Sequence, residues 1–141
     1  GAPYKEGESW PLRNFREVMN RLGQNGFKGA VVTGVAEKRL EAEIAKTIFP
    51  PGWAWLRSPS LLKLSSLLQE AGLYLGNDSG ITHLAAACGA ESIALFRDDL
   101  AAAWRPYGRV HLLSASAVEE ISAESVWETI SELHHLPKAP F

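Results

Sequence analysis

Residues 76–89 carry the strongest structural signal in the sequence and read Gly76-Asn77-Asp78-Ser79-Gly80-Ile81-Thr82-His83-Leu84-Ala85-Ala86-Ala87-Cys88-Gly89. An apolar run, residues 73–75, precedes this stretch and predicts a strand, while residues 76–80 predict a tight polar turn. A small-residue helix follows, with Asp78 or Ser79 at its N-cap and Gly89 where glycine commonly ends a helix. The stretch therefore predicts a strand, a turn and a helix in direct succession.

The polar chemistry of this turn indicates a ligand site. A turn into a helix directs unpaired backbone N–H groups and the positive end of the helix dipole outward, and these groups bind phosphate or sugar oxygens. Asp78 with Thr82, and Ser79 with His83, are i,i+4 pairs, so their side chains gather at the start of the helix. The turn is the first place at which we expect a ligand.

Length and composition limit the class of protein. The 141 residues predict one domain over residues 1–141, with residues 134–141 as a loose tail. The net charge of -2, without a Lys/Arg cluster, argues against a nucleic-acid partner. The single cysteine excludes an internal disulfide and fits a reducing cytoplasm, and no apolar run approaches the length of a membrane span.

Apolar spacing predicts strands that alternate with helices. Pro11 begins the first helix, Gly23 and Gly26 end it, and a second helix starts near Glu37 and includes Ile48. Strands are predicted at 30–33, 53–56, 73–75, 92–96 and 110–113, and further helices begin at residues 61, 79 and 122. This order predicts an α/β, Rossmann-like three-layer domain with a mostly parallel sheet, in which ligands bind beyond the carboxyl ends of the strands.

The stretch from Gly76 to Gly89 closely resembles the signature of the ADP-heptose:lipopolysaccharide heptosyltransferases. These are GT-B glycosyltransferases with two Rossmann-like domains. Three further segments resemble the family in the same order: Ser9-Trp10-Pro11 leading to Phe15, Thr33-Gly34-Val35-Ala36-Glu37, and Trp104-Arg105-Pro106-Tyr107-Gly108 after Leu95-Phe96. The resemblance runs from about residue 1 to residue 133.

The resemblance implies that the chain is the C-terminal half of a GT-B enzyme, lacking one strand before Gly1-Ala2 and the N-terminal acceptor domain with the catalytic base. It implies donor binding within an enzyme that transfers heptose from ADP-heptose to the lipopolysaccharide core. The ADP-sugar is then a substrate, and no cofactor and no catalytic residue are expected in this chain. The expected partners are the nucleotide sugar, the acceptor domain and a lipid-linked acceptor, in the cytoplasm at the inner face of the inner membrane.

The resemblance and the residue chemistry together give eight candidate donor-binding residues: Asn77, Asp78, Ser79, Gly80, His83, Glu37, Arg97 and Lys5. Asp78 and His83 are expected to contact sugar or phosphate oxygens, and Ser79 and Gly80 to offer backbone N–H groups. Glu37 follows a predicted strand, where acidic residues hold a nucleotide ribose in dinucleotide folds. Structural alternatives stay open: an N-cap for Asp78, a half-buried side chain for His83 and a solvated helix turn for Glu37. No residues stand at metal-ligand spacing.

Other prominent residues are interpreted as structural first. Thr82 is expected to be a packing or capping hydroxyl, and Trp10 and Trp104 to be packing residues. Cys88, on an alanine-rich helix face, is expected to be buried and inert.

Two positions depart from the family pattern. Glu8 stands where the family commonly has a lysine thought to meet phosphate, and a carboxylate repels phosphate. Arg97-Asp98-Asp99 replaces glycine and threonine, and Arg97 or Lys5 can take the place of the lost lysine. Two alternatives therefore stay open: a degenerate, non-catalytic sugar-nucleotide-binding module, and half of another GT-B-type enzyme such as an epimerase, which would prefer UDP.

Overall fold

The computed structural model describes residues 9–101, 103 and 108–136. Parallel strands alternate with helices throughout these ranges, which confirms the α/β prediction. The strands are β1 (Gly29–Thr33), β2 (Trp53–Arg57), β3 (Tyr74–Asn77), β4 (Ser92–Arg97) and β5 (Val110–Ala115). The helices are α1 (Leu12–Gln24), α2 (Glu41–Ala45), α3 (Leu61–Glu70), α4 (Gly80–Ala87), α5 (Asp98–Ala101) and α6 (Ala123–His134), with 3-10 segments at Val35–Leu40 and Val118–Glu120.

The strands form two parallel ladders. β1 pairs with β2, with Thr33 opposite Arg57, while β3, β4 and β5 form the second ladder, with Asn77 opposite Leu95. Parallel strands present their carboxyl ends at the same edge of a sheet, and α/β proteins bind ligands there. The residues that follow β3 and β4, including Asp78 and Asp98, therefore lie at one such edge.

A layer of helices covers each side of the sheets. On one side, α1 and α6 bury Trp10, Trp127 and Ile130 against β4. On the other, Leu64 of α3 and Ala85 of α4 pack with half-buried residues of both ladders. β4 is buried from Ser92 to Phe96, as expected for a strand with a neighbour on each edge and a helix layer on each face. No helix in these described ranges is both long and apolar enough to span a bilayer.

Serine N-caps begin three of the helices. The hydroxyls of Ser60, Ser79 and Ser122 accept the N–H of the residue three positions later, which starts α3, α4 and α6. Of the two N-cap candidates before α4, the structure therefore selects Ser79. Gly89, at φ +83, follows the end of α4 in the left-handed region, as its sequence position predicts.

The predicted second helix is wrong in extent. A 3-10 segment, Val35–Leu40, replaces its first turns, and α2 ends at Ala45, so that Ile48 lies outside the helix and is 90% exposed. Ile44 is the buried residue of α2, and without burial of Ile48 a further turn has no packing to stabilise it.

Smaller corrections concern element ends and burial. Gly76 and Asn77 belong to β3 and not to the turn, and Gly23 lies inside α1, which ends at Gln24. Cys88 is half-buried and not buried, because it stands at the C-cap of α4. The predictions for Gly1-Ala2, Lys5, Glu8, residues 104–107 and the tail beyond Leu136 lie outside the described residues.

The strand order contains one open place. Among the described strands, no ladder joins β1 to β3, although Val32 and Tyr74 share one apolar cluster and Trp53 and Leu75 pack against the other. A doubly wound sheet of order 3-2-1-4-5-6 is obtained if one parallel strand lies between β1 and β3. The family resemblance expects a strand before Gly1-Ala2, and its position in this place stays a prediction.

We predict that a longer form of the protein carrying this strand protects both flanking strands. Backbone amides of β1 and β3 will exchange more slowly with deuterium than in the 141-residue chain, because their unpaired edges gain a ladder. The amides of β5, two strands from the open place, serve as the control. Unchanged exchange in β1 and β3 would contradict a strand at this place.

Candidate functional site

Asn77, the last residue of β3, is held in two directions. Its side-chain Oδ1 accepts the backbone N–H of Trp10 at 2.9 Å, just before α1. Its main-chain oxygen accepts the hydroxyl of Thr82 from the first turn of α4. The side-chain oxygen of Asn77 already accepts a structural hydrogen bond. Asp78, the next residue, is therefore the first whose side chain can contact a ligand.

Ser79 and Gly80 form the start of α4. Ser79 is extended, with φ -158 and ψ 166, and its Oγ accepts the N–H of Thr82 at 3.4 Å. Gly80 is exposed at the first helical position. The N–H groups of Gly80 and Ile81 have no earlier helical carbonyl to bind, so this end of α4 can donate to an anion.

Asp78 and His83 present their side chains above this helix end. Asp78 Oδ1 lies 4.0 Å from His83 Nε2, and the two side chains are 39% and 53% exposed. A carboxylate and an imidazole at this spacing offer one acceptor and one donor to the same small molecule. The structure therefore brings together five predicted site residues: Asn77, Asp78, Ser79, Gly80 and His83.

Arg97 reaches the same region from the end of β4. A small cavity of about 40 Å³ lies between Asp78 and Arg97, with Leu95, Phe96, Leu100 and Val118 around it. The guanidinium binds the Asp99 carboxylate twice, with Nε to Oδ1 and Nη2 to Oδ2 both at 2.9 Å. This hydrogen bonding lowers the pKa of Asp99 below its ordinary value. Arg97 is thus at the site, but an acidic neighbour already engages it.

Glu37 lies after β1, on the other ladder. Its Oε2 accepts the backbone N–H of Gly34 at 2.7 Å, so the carboxylate stabilises its own turn. One carboxylate oxygen of Glu37 thus has a structural role in the helix turn. The other oxygen, Oε1, is the one that a ligand hydroxyl can contact.

Tyr74 was not among the site residues predicted from the sequence, although its side chain supports the turn after β3. Its hydroxyl lies 2.9 Å from Thr82 Oγ1, and Thr82 is completely buried, as expected of a packing hydroxyl. Burial raises the pKa of Tyr74 above its ordinary value; hydrogen bonds with Thr82 and Ser79 lower it, and the Glu37 carboxylate raises it. The signal in the sequence was Gly76, which shares a face of β3 with Tyr74 and leaves room for its ring.

Two other features of the described residues lie apart from this site. A larger cavity of about 230 Å³ lies beside β2 and α3, lined mainly by apolar groups around Leu56, Leu64 and Leu67. In residues 9–101, 103 and 108–136, no group of three or more His, Cys, Asp or Glu side chains could hold a metal ion.

We predict that the serine N-caps of α4 and α6 contribute equally to the stability of the protein. Ser79→Ala and Ser122→Ala each remove a hydroxyl that accepts a helix N–H, so each will lower the free energy of unfolding by about 1 kcal/mol in urea denaturation. A loss for Ser79→Ala well below that for Ser122→Ala would show that the long 3.4 Å bond at Ser79 adds little to stability.

Solved structures resemble the whole of this domain. Escherichia coli heptosyltransferase WaaC with ADP has a TM-score of 0.79 at 22% identity over 94% of the chain. A family 9 glycosyltransferase from Veillonella parvula and E. coli ADP-heptose lipopolysaccharide heptosyltransferase II give 0.76 and 0.75 at 18% identity, again over 94% of the chain. The chain spans 42–44% of the length of these three structures.

These likenesses establish the fold, because the identities are too low to carry more. No curated protein sequence matches the chain. The family profile is more specific: the profile of glycosyltransferase family 9 (heptosyltransferase) matches residues 2–131. Since this match covers nearly all of the 141 residues, the chain belongs to glycosyltransferase family 9, the heptosyltransferase family.

Proposed function

We propose that this chain is the C-terminal, donor-binding half of a heptosyltransferase and that it binds ADP-heptose at the β3–α4 turn. The observation that carries the proposal is the convergence of Asp78, His83, the N-terminus of α4 and Arg97 at one carboxyl edge of a parallel sheet. A related protein supports the donor: structures of E. coli WaaC exist with ADP and with ADP-2-deoxy-2-fluoro heptose.

The start of α4 and Arg97 suit the diphosphate. Unpaired N–H groups at a helix N-terminus bind phosphate oxygens, and a guanidinium binds them in a bidentate manner. Arg97 must exchange its Asp99 partner for a phosphate to do so, and the pair is exposed enough for that exchange, with side chains 30% and 65% accessible. The diphosphate is therefore proposed to lie between Gly80 and Arg97.

Asp78 and His83 suit the sugar. Both are accessible, and a carboxylate oxygen is a strong acceptor for sugar hydroxyls. Glu37, in the turn after β1, is proposed to accept a ribose hydroxyl with the oxygen that does not bind Gly34. These assignments divide the donor into a sugar end, a phosphate centre and a nucleoside end.

In the reaction that we propose, an acceptor sugar hydroxyl attacks the anomeric carbon of heptose, and ADP leaves. The groups of this chain stabilise the charge that develops on the departing diphosphate. The acceptor site and the base that takes the hydroxyl proton are assigned to the N-terminal domain. The acceptor is proposed to be the lipid-linked core of lipopolysaccharide, and the reaction to take place in the cytoplasm.

The test is a calorimetric or NMR titration of the chain with ADP, UDP, GDP and ADP-heptose. We expect a preference for ADP over the other nucleotides, with chemical-shift changes centred on residues 76–84. Asp78→Asn will weaken ADP-heptose but not ADP, by roughly tenfold, because it alters a charge-assisted contact to the sugar. His83→Gln will weaken ADP-heptose as well, and Glu70→Gln, at the exposed end of α3, is the control.

The other outcomes lead to different functions. If the chain prefers UDP, the heptosyltransferase assignment is wrong and the chain belongs to another sugar-nucleotide enzyme. If a full-length protein containing this domain binds no nucleotide and transfers no sugar from ADP-heptose, the chain is a degenerate module and the proposal is wrong.

The competition for Arg97 gives a second prediction. Asp99→Asn weakens the acidic partner of Arg97, so we expect ADP to bind up to about fivefold tighter, as for a surface ion pair of up to about 1 kcal/mol. Asp98→Asn removes the same charge one position away and is the matched control. Equal gains in both variants would mean that net charge, and not release of Arg97, controls affinity.

A further inference from the structure

Tyr74 lies directly beneath the β3–α4 turn. It shares a face of β3 with Gly76, and a Cβ atom on Gly76 would lie 2.1 Å from the Tyr74 hydroxyl and 2.6 Å from Cζ. The ring therefore crosses over Gly76 toward α4, and its hydroxyl reaches Thr82 at 2.9 Å. Only a residue without a side chain at position 76 leaves this path open.

The hydrogen bonds of this network have a defined direction. Thr82 has one hydroxyl hydrogen, and it donates that hydrogen to the main-chain oxygen of Asn77. The Tyr74 hydroxyl must then be the donor to Thr82 Oγ1. The network runs from Tyr74 through Thr82 to the carbonyl of the peptide that joins Asn77 to Asp78, so it fixes the orientation of that peptide.

Tyr74 also faces the other ladder. It packs in one apolar cluster with Val32 of β1. Burial raises the pKa of Tyr74 above its ordinary value, and the Glu37 carboxylate raises it further, so the hydroxyl stays protonated and remains a donor at neutral pH. Tyr74 therefore stands between the turn after β1 and the turn after β3, where no ladder joins the described strands.

We propose that Tyr74 is a positioning residue that sets the preference of the donor site for a nucleotide sugar over the nucleotide alone. Through Thr82 it holds the Asn77–Asp78 peptide, and with it the carboxylate of Asp78, in the orientation that receives the sugar of a nucleoside diphosphate sugar. Tyr74 touches no part of the donor itself. This inference rests on the proposed function and adds that discrimination between a nucleotide and its sugar conjugate depends on a half-buried tyrosine.

The test is Tyr74→Phe, which keeps the ring and removes the donor. We expect the preference for ADP-heptose over ADP to fall about fivefold, as for the loss of one neutral hydrogen bond, while ADP affinity stays within about twofold. Thr82→Val will have the same effect, Thr82→Ser will retain the preference, and the double variant Tyr74→Phe with Thr82→Val will lose no more than either alone.

A destabilised control separates positioning from general loss of structure. Ile130→Val truncates a fully buried residue of α6 on the opposite helix layer, lowering stability without contact with the turn. Its preference for ADP-heptose over ADP will be unchanged. If Tyr74→Phe leaves the preference unchanged, or lowers the affinities for ADP and ADP-heptose equally, Tyr74 is not a positioning residue.

A measurement without ligand keeps this inference separate from the proposed function. We expect Tyr74→Phe to lower the NMR order parameters of the Asp78 and Ser79 amides, while Ile130→Val leaves them unchanged. If the wild-type chain shows no preference for ADP-heptose, the proposed function fails. Unaltered order parameters in Tyr74→Phe would overturn the positioning role, whatever the wild-type chain binds.

Discussion

The site depends on the two hydrogen bonds that hold Asn77. One joins the end of β3 to the start of α1 through Trp10, whose indole N–H also donates to the Ile121 carbonyl at 2.7 Å. The other joins the same residue to α4 through Thr82. Trp10 and Thr82 are both buried and the two bonds are partly buried, so the turn after β3 is held from both helix layers. Asp78 is exposed, but the residue before it, Asn77, is held by these two hydrogen bonds.

The sequence predicted what depends on local signals. The strand, turn and helix around residues 73–89, an N-cap at Asp78 or Ser79 and the left-handed Gly89 follow from spacing and capping chemistry within a few residues. Contacts between distant residues were not predictable: the Asn77 amide is engaged by Trp10, and Tyr74 belongs to the turn through Thr82. The predicted extent of the second helix was wrong, because the spacing of apolar residues cannot show that Ile48 has nothing to pack against. The sequence predicted Arg97 as a site residue, but it did not predict the hydrogen bonds between Arg97 and Asp99.

The accessibility of the site indicates how the whole enzyme would gain affinity. Asp78 and His83 are substantially exposed, and hydrogen bonds to a ligand there compete with water. The chain spans 42–44% of the length of the related structures named above, and the proposed function assigns the acceptor site to a second domain. A second domain that closes over this edge would exclude water and strengthen every polar contact to the donor. Under the proposed function, weak binding by this half and tight binding by the closed pair are expected together.

The charges around the turn indicate which part of the donor is discriminated. Asp78 lines the place proposed for an anionic diphosphate, and Arg97, which lines it as well, is bound by the Asp99 carboxylate. The attraction for phosphate is thus partly cancelled within the site, whereas the same carboxylates are good acceptors for hydroxyl groups. Under the proposed function, we expect such a site to bind a bare nucleotide weakly and to gain most of its selectivity from the sugar. That balance explains why the orientation of Asp78 matters more to the proposed function than the number of cations near it.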